Sequence, residues 1–200
     1  MMHTPIATMQ KTAMSAPNRS SISAVVISLN ESANIERCLA SLSFCDDIVL
    51  VDSGSTDNTV ALAEAMGARV ITQDWLGFGR QKQFAVDQAK YDWVLCIDAD
   101  EVVSAALQTE MLALDFTAVK TPAFRFPRRN HFLGKPLNYG EGYPDLSLRL
   151  FNRRQACWSD DTVHEMVMAD GPVGNLGGDL LHFSEDSIAS YLEKQAVYTD

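Results

Sequence analysis

The sequence predicts an α/β fold in which a mostly parallel central sheet is flanked by helices, with a smaller mixed β portion in the second half. In the first half, four short apolar runs alternate with helical patterns of about ten residues, which favours parallel pairing through right-handed crossovers. In the second half, seven glycines between residues 134 and 178 separate shorter strand patterns. Residues 1–20 are polar and are expected to form a flexible leader, so residues 21–200 form the single predicted domain.

Hydrophobic periodicity and helix stop signals predict the individual elements. Strands are predicted at residues 22–29, 47–52, 69–72, 92–97, 119–126, 146–151 and 163–168. Helices are predicted at residues 32–42, 56–66, 81–90, 104–114 and 187–200. Gly67 stands where a helix C-terminus favours a left-handed residue. The last predicted helix has no stop signal after it, which favours a chain that is truncated at its C-terminus.

Composition excludes several classes of protein. Hydrophobic residues make up 46% of the chain and charged residues 21%, which excludes wholesale disorder. The apolar runs are strand-sized, and the four cysteines form no C-x-x-C pair, which favours free thiols in a reducing cytoplasm. The net charge of −10 argues against a nucleic-acid partner. Residues 120–154 nevertheless hold eight Lys and Arg against two acids, which indicates either a face that meets an anion or a solvated strand surface.

The polar residues that follow the predicted strands are the first candidates for a site, because ligands of open parallel sheets bind beyond the carboxyl ends of the strands. Asp98 and Asp100 crowd two carboxylates directly after an apolar strand. A divalent cation, Mg²⁺ or Mn²⁺, would compensate this charge, and a solvated surface turn is the alternative. Asn30 and Asp52 end two other strands. Asp52 leads into SGSTD, which is either a ligand-binding loop or simply a loop and helix cap.

Two further candidates lie in the second half. Glu165, after Val163 and His164, is either functional or an exposed residue of a strand. His182, in LLHFS, follows another strand pattern, where a lone histidine is more often structural than a ligand. The sequence contains no P-loop and no complete dinucleotide-binding fingerprint.

Three stretches resemble glycosyltransferase family 2, whose fold is GT-A, in their order and spacing. They are ISLNESANIERCLASL, DIVLVDSGSTDNTV and KQFAVDQAKYDWVLCIDADE. The resemblance covers residues 22–182 and is especially close to the branch that builds bacterial lipopolysaccharide cores. It implies an inverting β-glucosyltransferase that uses UDP-glucose and a divalent metal. It also implies an anionic glycolipid acceptor, and therefore an enzyme peripheral to the cytoplasmic face of the inner membrane.

The resemblance implies a role for each candidate residue. The residues expected to contact the nucleotide sugar are Asn30, Asp52, Lys82, Asp98 and Gly142. The expected metal ligands are Asp98, Asp100 and His182. Glu165 is the expected catalytic base, which removes a proton from the acceptor. The basic residues expected to bind an acidic acceptor are Arg125, Arg128, Arg129 and Lys135.

Two other functions remain open from the sequence. Residues 98–102, DADEV, also fit the D-x-D-x-[TV] signature of haloacid-dehalogenase-like phosphatases. That family places its signature near the start of the core domain, whereas about three βα units precede it here. The non-enzyme alternative is a sugar-nucleotide-binding module that lacks catalysis.

Overall fold

A computed structural model describes residues 21–137, 139, 143–161 and 165–185 of the 200-residue chain. The predicted leader, the predicted helix at 187–200 and Gly142 lie outside the described residues. The helices are α1 Ile35–Ser41, α2 Thr59–Ala65, α3 Phe78–Asp87 and α4 Ala105–Ala113. The strands are β1 Ile22–Ser28, β2 Asp47–Asp52, β3 Arg69–Thr72, β4 Trp93–Asp98, β5 Glu101–Val103, β6 Ala123–Phe132, β7 Lys135–Pro136, β8 Asp145–Asn152, β9 Ala156–Trp158, β10 Val167–Ala169, β11 Val173–Asn175 and β12 Leu180–Glu185.

Within the described residues, ten strands form one sheet, and β9 and β10 form a separate antiparallel pair. The main path of the sheet is β3-β2-β1-β4-β8-β6-β12-β5, with β7 and β11 each paired to β6. Strands β1 to β4 are parallel to one another, which confirms the pairing predicted from the alternation of strands and helices. Because β8 is antiparallel to both β4 and β6, the second half of the sheet is mixed, as predicted. None of the helices in the described part of the chain is both long and apolar enough to cross a bilayer.

Side chains of the parallel strands alternate between two hydrophobic cores, one on each face of the sheet. In β1, Val26 packs in the core that contains α1, α2 and α4, and Val25 packs in the core that contains α3. In β4, Ile97 belongs to the first core and Cys96 to the second. Asp98 therefore ends β4 on the same face as α3.

The second half of the sheet brings His182 to the acidic turn that follows β4. β5 pairs antiparallel with β12, which places Glu101 opposite His182. β12 also pairs in parallel with β6, which places His182 opposite Asn130. The topology thus joins residues that lie far apart in the sequence at one edge of the sheet.

Several predicted elements differ from the observed ones. α3 begins at Phe78 rather than at residue 81, because Gly77 has a φ of 92° and turns the chain directly into the helix. β6 begins after Pro122, which cannot donate to a strand ladder, and its pairing with β8 and β12 extends it to residue 132. Glu165 precedes β10 instead of lying in a strand, and His182 lies within β12 rather than beyond a strand's end.

Gly178, just before β12, leaves no room for a side chain, because a Cβ there would overlap the backbone of Leu107 in α4. Gly178→Ala is expected to lower the free energy of unfolding by about 1–3 kcal/mol, since α4 and β12 must move apart. Gly177→Ala is the matched control, because its Cβ would meet only Glu110 Oε1, at 3.5 Å. Urea unfolding followed by circular dichroism measures both variants, and equal stability of the two would contradict the prediction.

Candidate active site

A cleft of about 650 Å³ opens where the parallel strands end, and we call it the large cleft. Its volume falls in the range of about 300–1,000 Å³ that is typical of pockets for small molecules. The residues that line it and bear on its chemistry are Ser28, Leu29, Trp75, Phe78, Asp98, Asp100, Arg128 and His182. The predicted D-x-D acids and His182 therefore share one cleft.

Asp98 is paired with two cations. Its Oδ2 accepts a hydrogen bond from Arg149 Nη2 at 2.8 Å, and its Oδ1 lies 3.3 Å from Lys82 Nζ. Burial alone would raise the pKa of Asp98, but the positive charges of Arg149 and Lys82 hold that pKa well below its usual range. Asp98 is therefore a carboxylate whose two oxygens both bind cations.

Glu101 is the second acid that Arg149 binds. Glu101 is 0% exposed, and its Oε1 accepts hydrogen bonds from Arg149 Nη2 at 3.3 Å and from Arg128 Nε at 2.6 Å. Its Oε2 accepts the backbone N–H of Asp98 at 2.9 Å. Burial alone would lower the pKa of Arg149, but Asp98 and Glu101 raise it. The buried charges are thus paired, as they must be to avoid a large desolvation penalty.

Asp100 and His182 face each other at the wall of the large cleft, with His182 Nε2 3.2 Å from Asp100 Oδ2. The other ring nitrogen, Nδ1, lies 2.7 Å from Asn130 Oδ1. Arg128 Nη1 donates to the same Asn130 oxygen at 3.3 Å, which identifies that atom as an acceptor and His182 Nδ1 as a donor. In the tautomer with its proton on Nδ1, His182 therefore turns the lone pair of Nε2 towards Asp100. Two acceptors at this distance repel each other unless a proton or a metal ion lies between them.

The pair of Asp100 and His182 fits a divalent cation. Carboxylate oxygen and imidazole nitrogen are common metal ligands, and Mg²⁺ in particular is often bound by only one or two protein groups beside substrate phosphates. Across the described residues, however, no three His, Cys, Asp or Glu side chains are grouped as a metal site. Asp98 directs its oxygens to Arg149 and Lys82 in this structure, so its predicted role as a third metal ligand stays a prediction.

Asn30 and Asp52 organise the loops that follow β1 and β2. Asp52 is 2% exposed and accepts hydrogen bonds from Ser28 Oγ at 3.0 Å and from the N–H groups of Gly54 at 3.0 Å and Ser55 at 2.8 Å. Asn30 adopts a positive φ of 55°, and its Oδ1 accepts a backbone N–H of the loop after β2 at 2.8 Å. Asn30 and Asp52 are not among the residues that line the large cleft, although Ser28, which donates to Asp52, is. Their contact with a nucleotide stays a prediction.

Lys82 of α3 joins Asp98 to Glu165. Its Nζ lies 3.1 Å from Glu165 Oε1, as well as 3.3 Å from Asp98 Oδ1. Glu165 can come this close because Gly79 has no side chain, and a Cβ there would lie 3.2 Å from Glu165 Cβ. Glu165, Lys82 and Arg149 line a second cleft of about 260 Å³, which we call the small cleft. The predicted base thus lies in a neighbouring cleft, connected to the large cleft through the Lys82–Asp98 pair.

The four basic residues predicted to bind the acceptor do not form one surface. Arg128 and Arg129 are consecutive in β6, so they point to opposite faces of the sheet, and each is paired with an acid. Arg125 Nε donates to Asn175 at 2.8 Å near the start of β6, and Lys135 is exposed on β7. The four residues therefore lie at separate positions of the second half of the sheet. Binding of an acceptor by any one of these residues stays a prediction.

Glu101, Arg149 and Trp158 are site residues that were not predicted from the sequence. Arg149 had a usable signal, because it is the one charged residue in the apolar run LSLRLF, and a charge there requires a buried partner. Its partners could not be inferred, since Asp98 and Glu101 lie 51 and 48 positions away.

Comparisons with known proteins identify relatives for most of the chain. The model of the family described as Glycosyl transferase family 2 matches residues 23–160. The lipopolysaccharide core biosynthesis glycosyltransferase LpsC of Rhizobium meliloti (strain 1021) is 36% identical over 185 residues, which cover 89% of this chain and 68% of LpsC. An uncharacterized glycosyltransferase, RC0292, of Rickettsia conorii (strain ATCC VR-613 / Malish 7) is 48% identical over 196 residues, covering 90% of this chain and 68% of that protein. The chain thus spans about two thirds of the length of these relatives.

A solved structure shows the same fold. The crystal structure of S. aureus TarS 1-349 superposes with a TM-score of 0.51 and 22% sequence identity, covering 62% of this chain and 38% of that one. The predicted GT-A-like α/β fold is therefore confirmed.

Arg149→Met leaves Asp98 and Glu101 without the cation they share. We expect the free energy of unfolding at pH 7 to fall by about 3–5 kcal/mol, because two buried carboxylates become under-compensated. The pKa of Asp98 is lowered in the folded protein. The ion pair of Asp98 therefore contributes fully to the free energy of unfolding above the unfolded pKa of about 3.9, and this contribution is lost as the pH falls below that value. The difference between wild type and variant should therefore shrink below about pH 4.

Urea titrations at pH 7, 4 and 3 measure this difference. Arg154→Met is the control, because the Arg154 side chain is 74% exposed and its removal should change stability little. A loss of stability in Arg149→Met that does not depend on pH would contradict the electrostatic explanation.

Proposed function

This chain belongs to glycosyl transferase family 2, and we propose that it is an inverting glucosyltransferase of lipopolysaccharide biosynthesis. In this proposal it moves glucose from UDP-glucose to an inner-core acceptor. Its similarity to LpsC, which is named for lipopolysaccharide core biosynthesis, supports this class of acceptor. The observation that carries the proposal is the pair of Asp100 and His182 in the wall of the large cleft, because a diphosphate donor needs a cation site beside a pocket of nucleotide size.

The large cleft is the proposed donor site. The rings of Trp75 and Phe78 meet edge to face at 4.8 Å and are each 48% exposed, so they offer aromatic surface to a nucleotide base. Asn30 lies between Leu29 and Glu31, which line this cleft, and its Oδ1 binds the loop after β2. Lys82 is close to this site through its contact with Asp98, and its positive charge suits a donor with two phosphates.

Asp100 and His182 would hold the divalent cation, Mg²⁺ or Mn²⁺. Asn130 holds the proton of His182 on Nδ1, which leaves Nε2 free to act as a ligand. When bound, such a cation neutralises the charge that grows on the departing diphosphate, a stabilisation of several kcal/mol. The role proposed for Asp98 is to position the side chains of Arg149 and Lys82, which it binds at the boundary of the two clefts.

Glu165 is the proposed catalytic base. It would take the proton of an acceptor hydroxyl while that oxygen attacks the anomeric carbon from the side opposite UDP, so that an α-linked donor gives a β-linked product. Lys82 Nζ, at 3.1 Å, holds Glu165 Oε1 in place for this step. A positioned base typically accelerates a reaction by about 10²- to 10⁴-fold.

The proposed location follows from the acceptor. A lipopolysaccharide precursor is an anionic lipid, so we place the enzyme at the cytoplasmic face of the inner membrane as a peripheral protein. In the basic segment 120–154, the exposed Lys135 on β7 supports contact with an anionic acceptor or membrane surface.

The two alternative functions, phosphatase and non-catalytic binding module, would give different results in activity and binding assays. A haloacid-dehalogenase-like phosphatase would use Asp98 as its nucleophile, but both Asp98 oxygens bind cations from Arg149 and Lys82. Hydrolysis of p-nitrophenyl phosphate would favour that function. A non-catalytic module would bind UDP-glucose in a calorimeter with neither transfer nor hydrolysis.

Asp100→Asn is expected to weaken binding of UDP in the presence of Mn²⁺ by at least about tenfold, because the neutral amide is a poorer metal ligand. Binding of UDP without Mn²⁺ should stay unchanged. Isothermal titration calorimetry measures both conditions, with Glu64→Gln, an exposed substitution on α2, as the control. If Asp100→Asn still bound UDP tightly in the presence of Mn²⁺, Asp100 would not be a metal ligand.

Glu165→Gln should bind UDP-glucose normally but transfer glucose about 10²- to 10⁴-fold more slowly, since the amide cannot accept the proton. A transfer assay with an inner-core acceptor measures the rate, and calorimetry measures donor binding. Asp160→Asn is the matched control, because the Asp160 side chain is 87% exposed and lies only five positions away. Near-normal turnover by Glu165→Gln would show that another group is the base.

A further inference from the structure

The small cleft is lined by two buried side chains with donors that have no hydrogen-bond partner among the described residues. The donors are Arg149 Nη1 and Trp158 Nε1, and each residue is only 7% exposed. Buried donors are almost always paired in folded proteins, and both of these groups can only donate. A ligand with acceptor oxygens would satisfy them. We propose that the small cleft binds one uncharged sugar ring, that of the glycosyl acceptor.

The charges around the small cleft favour an uncharged ligand. Arg149 is bonded to Asp98 and Glu101, and Lys82 is bonded to Asp98 and Glu165. Arg128 also pairs with Glu101, which brings the group to three cations and three acids. This group has no surplus positive charge for a bound carboxylate or phosphate, so an anion would be held less well than a neutral group that accepts hydrogen bonds.

The walls of the small cleft are both polar and apolar, which suits the hydroxyl groups and the C–H face of a pyranose ring. Trp158 and Arg149 provide donors for hydroxyl oxygens, and Glu165 provides an acceptor for a hydroxyl proton. Leu148 and Met166 are among the apolar residues in the same wall, and they can pack against the C–H face of a ring. The volume of about 260 Å³ lies just below the range of about 300–1,000 Å³ for drug-sized ligands, which suits one ring.

The identity of this ring as the acceptor rests on the proposed function. Because Glu165 lines the same cleft, a ring held by Arg149 and Trp158 would present a hydroxyl to the proposed base. Arg149 and Trp158 would thereby position the acceptor, whereas the donor would occupy the large cleft on the other side of the Lys82–Asp98 pair.

The three tryptophans of the chain allow a direct test, because each reports on a different place. Trp158 lines the small cleft, Trp75 lines the large cleft, and Trp93 is buried in the core with its ring 4.3 Å from that of Phe116. In the ¹⁵N-labelled protein each indole N–H gives one NMR cross-peak, and Trp158→Phe and Trp75→Phe assign them. The probes are the methyl glycosides of glucose, mannose and galactose, the methyl glucuronide, and UDP with Mn²⁺.

We expect at least one neutral glycoside to shift the Trp158 cross-peak at concentrations up to about 100 mM, which would saturate a site with a Kd of a few mM. The Trp93 cross-peak should not move, and the glucuronide should bind more weakly than the glucoside. Failure of every glycoside to shift the Trp158 cross-peak would overturn the proposal that the small cleft binds a sugar. Tighter binding of the glucuronide than of the glucoside would overturn the proposal that this sugar is uncharged. A Trp75 cross-peak that UDP and Mn²⁺ leave unmoved would count against the proposed donor site instead.

Trp158→Phe keeps the aromatic ring and removes the N–H, so it tests the proposed hydrogen bond. Ligand-observed NMR should show glycoside binding weakened about fivefold, the usual effect of losing one hydrogen bond. Met168→Leu is the control, because Met168 on β10 is 52% exposed and is not among the residues that line the small cleft. Unchanged affinity in Trp158→Phe would remove the indole from the site.

Discussion

The ion pairs of Arg149 with Asp98 and Glu101 connect the parallel and antiparallel halves of the sheet. Asp98 at the end of β4 and Glu101 at the start of β5 would repel each other in a buried place, and the guanidinium from β8 compensates both charges. The antiparallel register of the two strands, with Leu95 opposite Leu150, delivers the arginine to that point. The position of Asp100, which lies between the two acids in the sequence, follows from this arrangement.

The two acids of the D-x-D motif therefore have different tasks. Asp98 lies on the α3 face of the sheet and binds cations that border the small cleft. Asp100 lies beyond the strand and faces His182 across 3.2 Å in the large cleft. Both acids line the large cleft, but only Asp98 binds the cations that line the small cleft. The difference arises because Asp98 continues the alternation of β4, whereas Asp100 belongs to the turn.

The local parts of the fold and site were predictable from the sequence. The strands at 47–52 and 69–72 were predicted with the observed bounds, because short apolar runs between turn residues suffice to indicate buried strands. The predicted alternation of strands and helices correctly placed several polar strand ends at one edge of the sheet. The relative positions of the predicted acceptor residues were not predictable, because a strand turns the sequence neighbours Arg128 and Arg129 to opposite faces.

The sequence by itself determined the family, the parallel half of the sheet and the types of residue at the strand ends, since all of these depend on local patterns and their spacing. Only the tertiary structure decided the partners of these residues. Lys82 binds Glu165 across 83 positions, and His182 meets Asp100 across 82, because strand pairing in the second half joins segments with no local signal for each other. The division into two clefts is decided in the same way, since it requires Arg149 to reach β4 from the antiparallel strand β8.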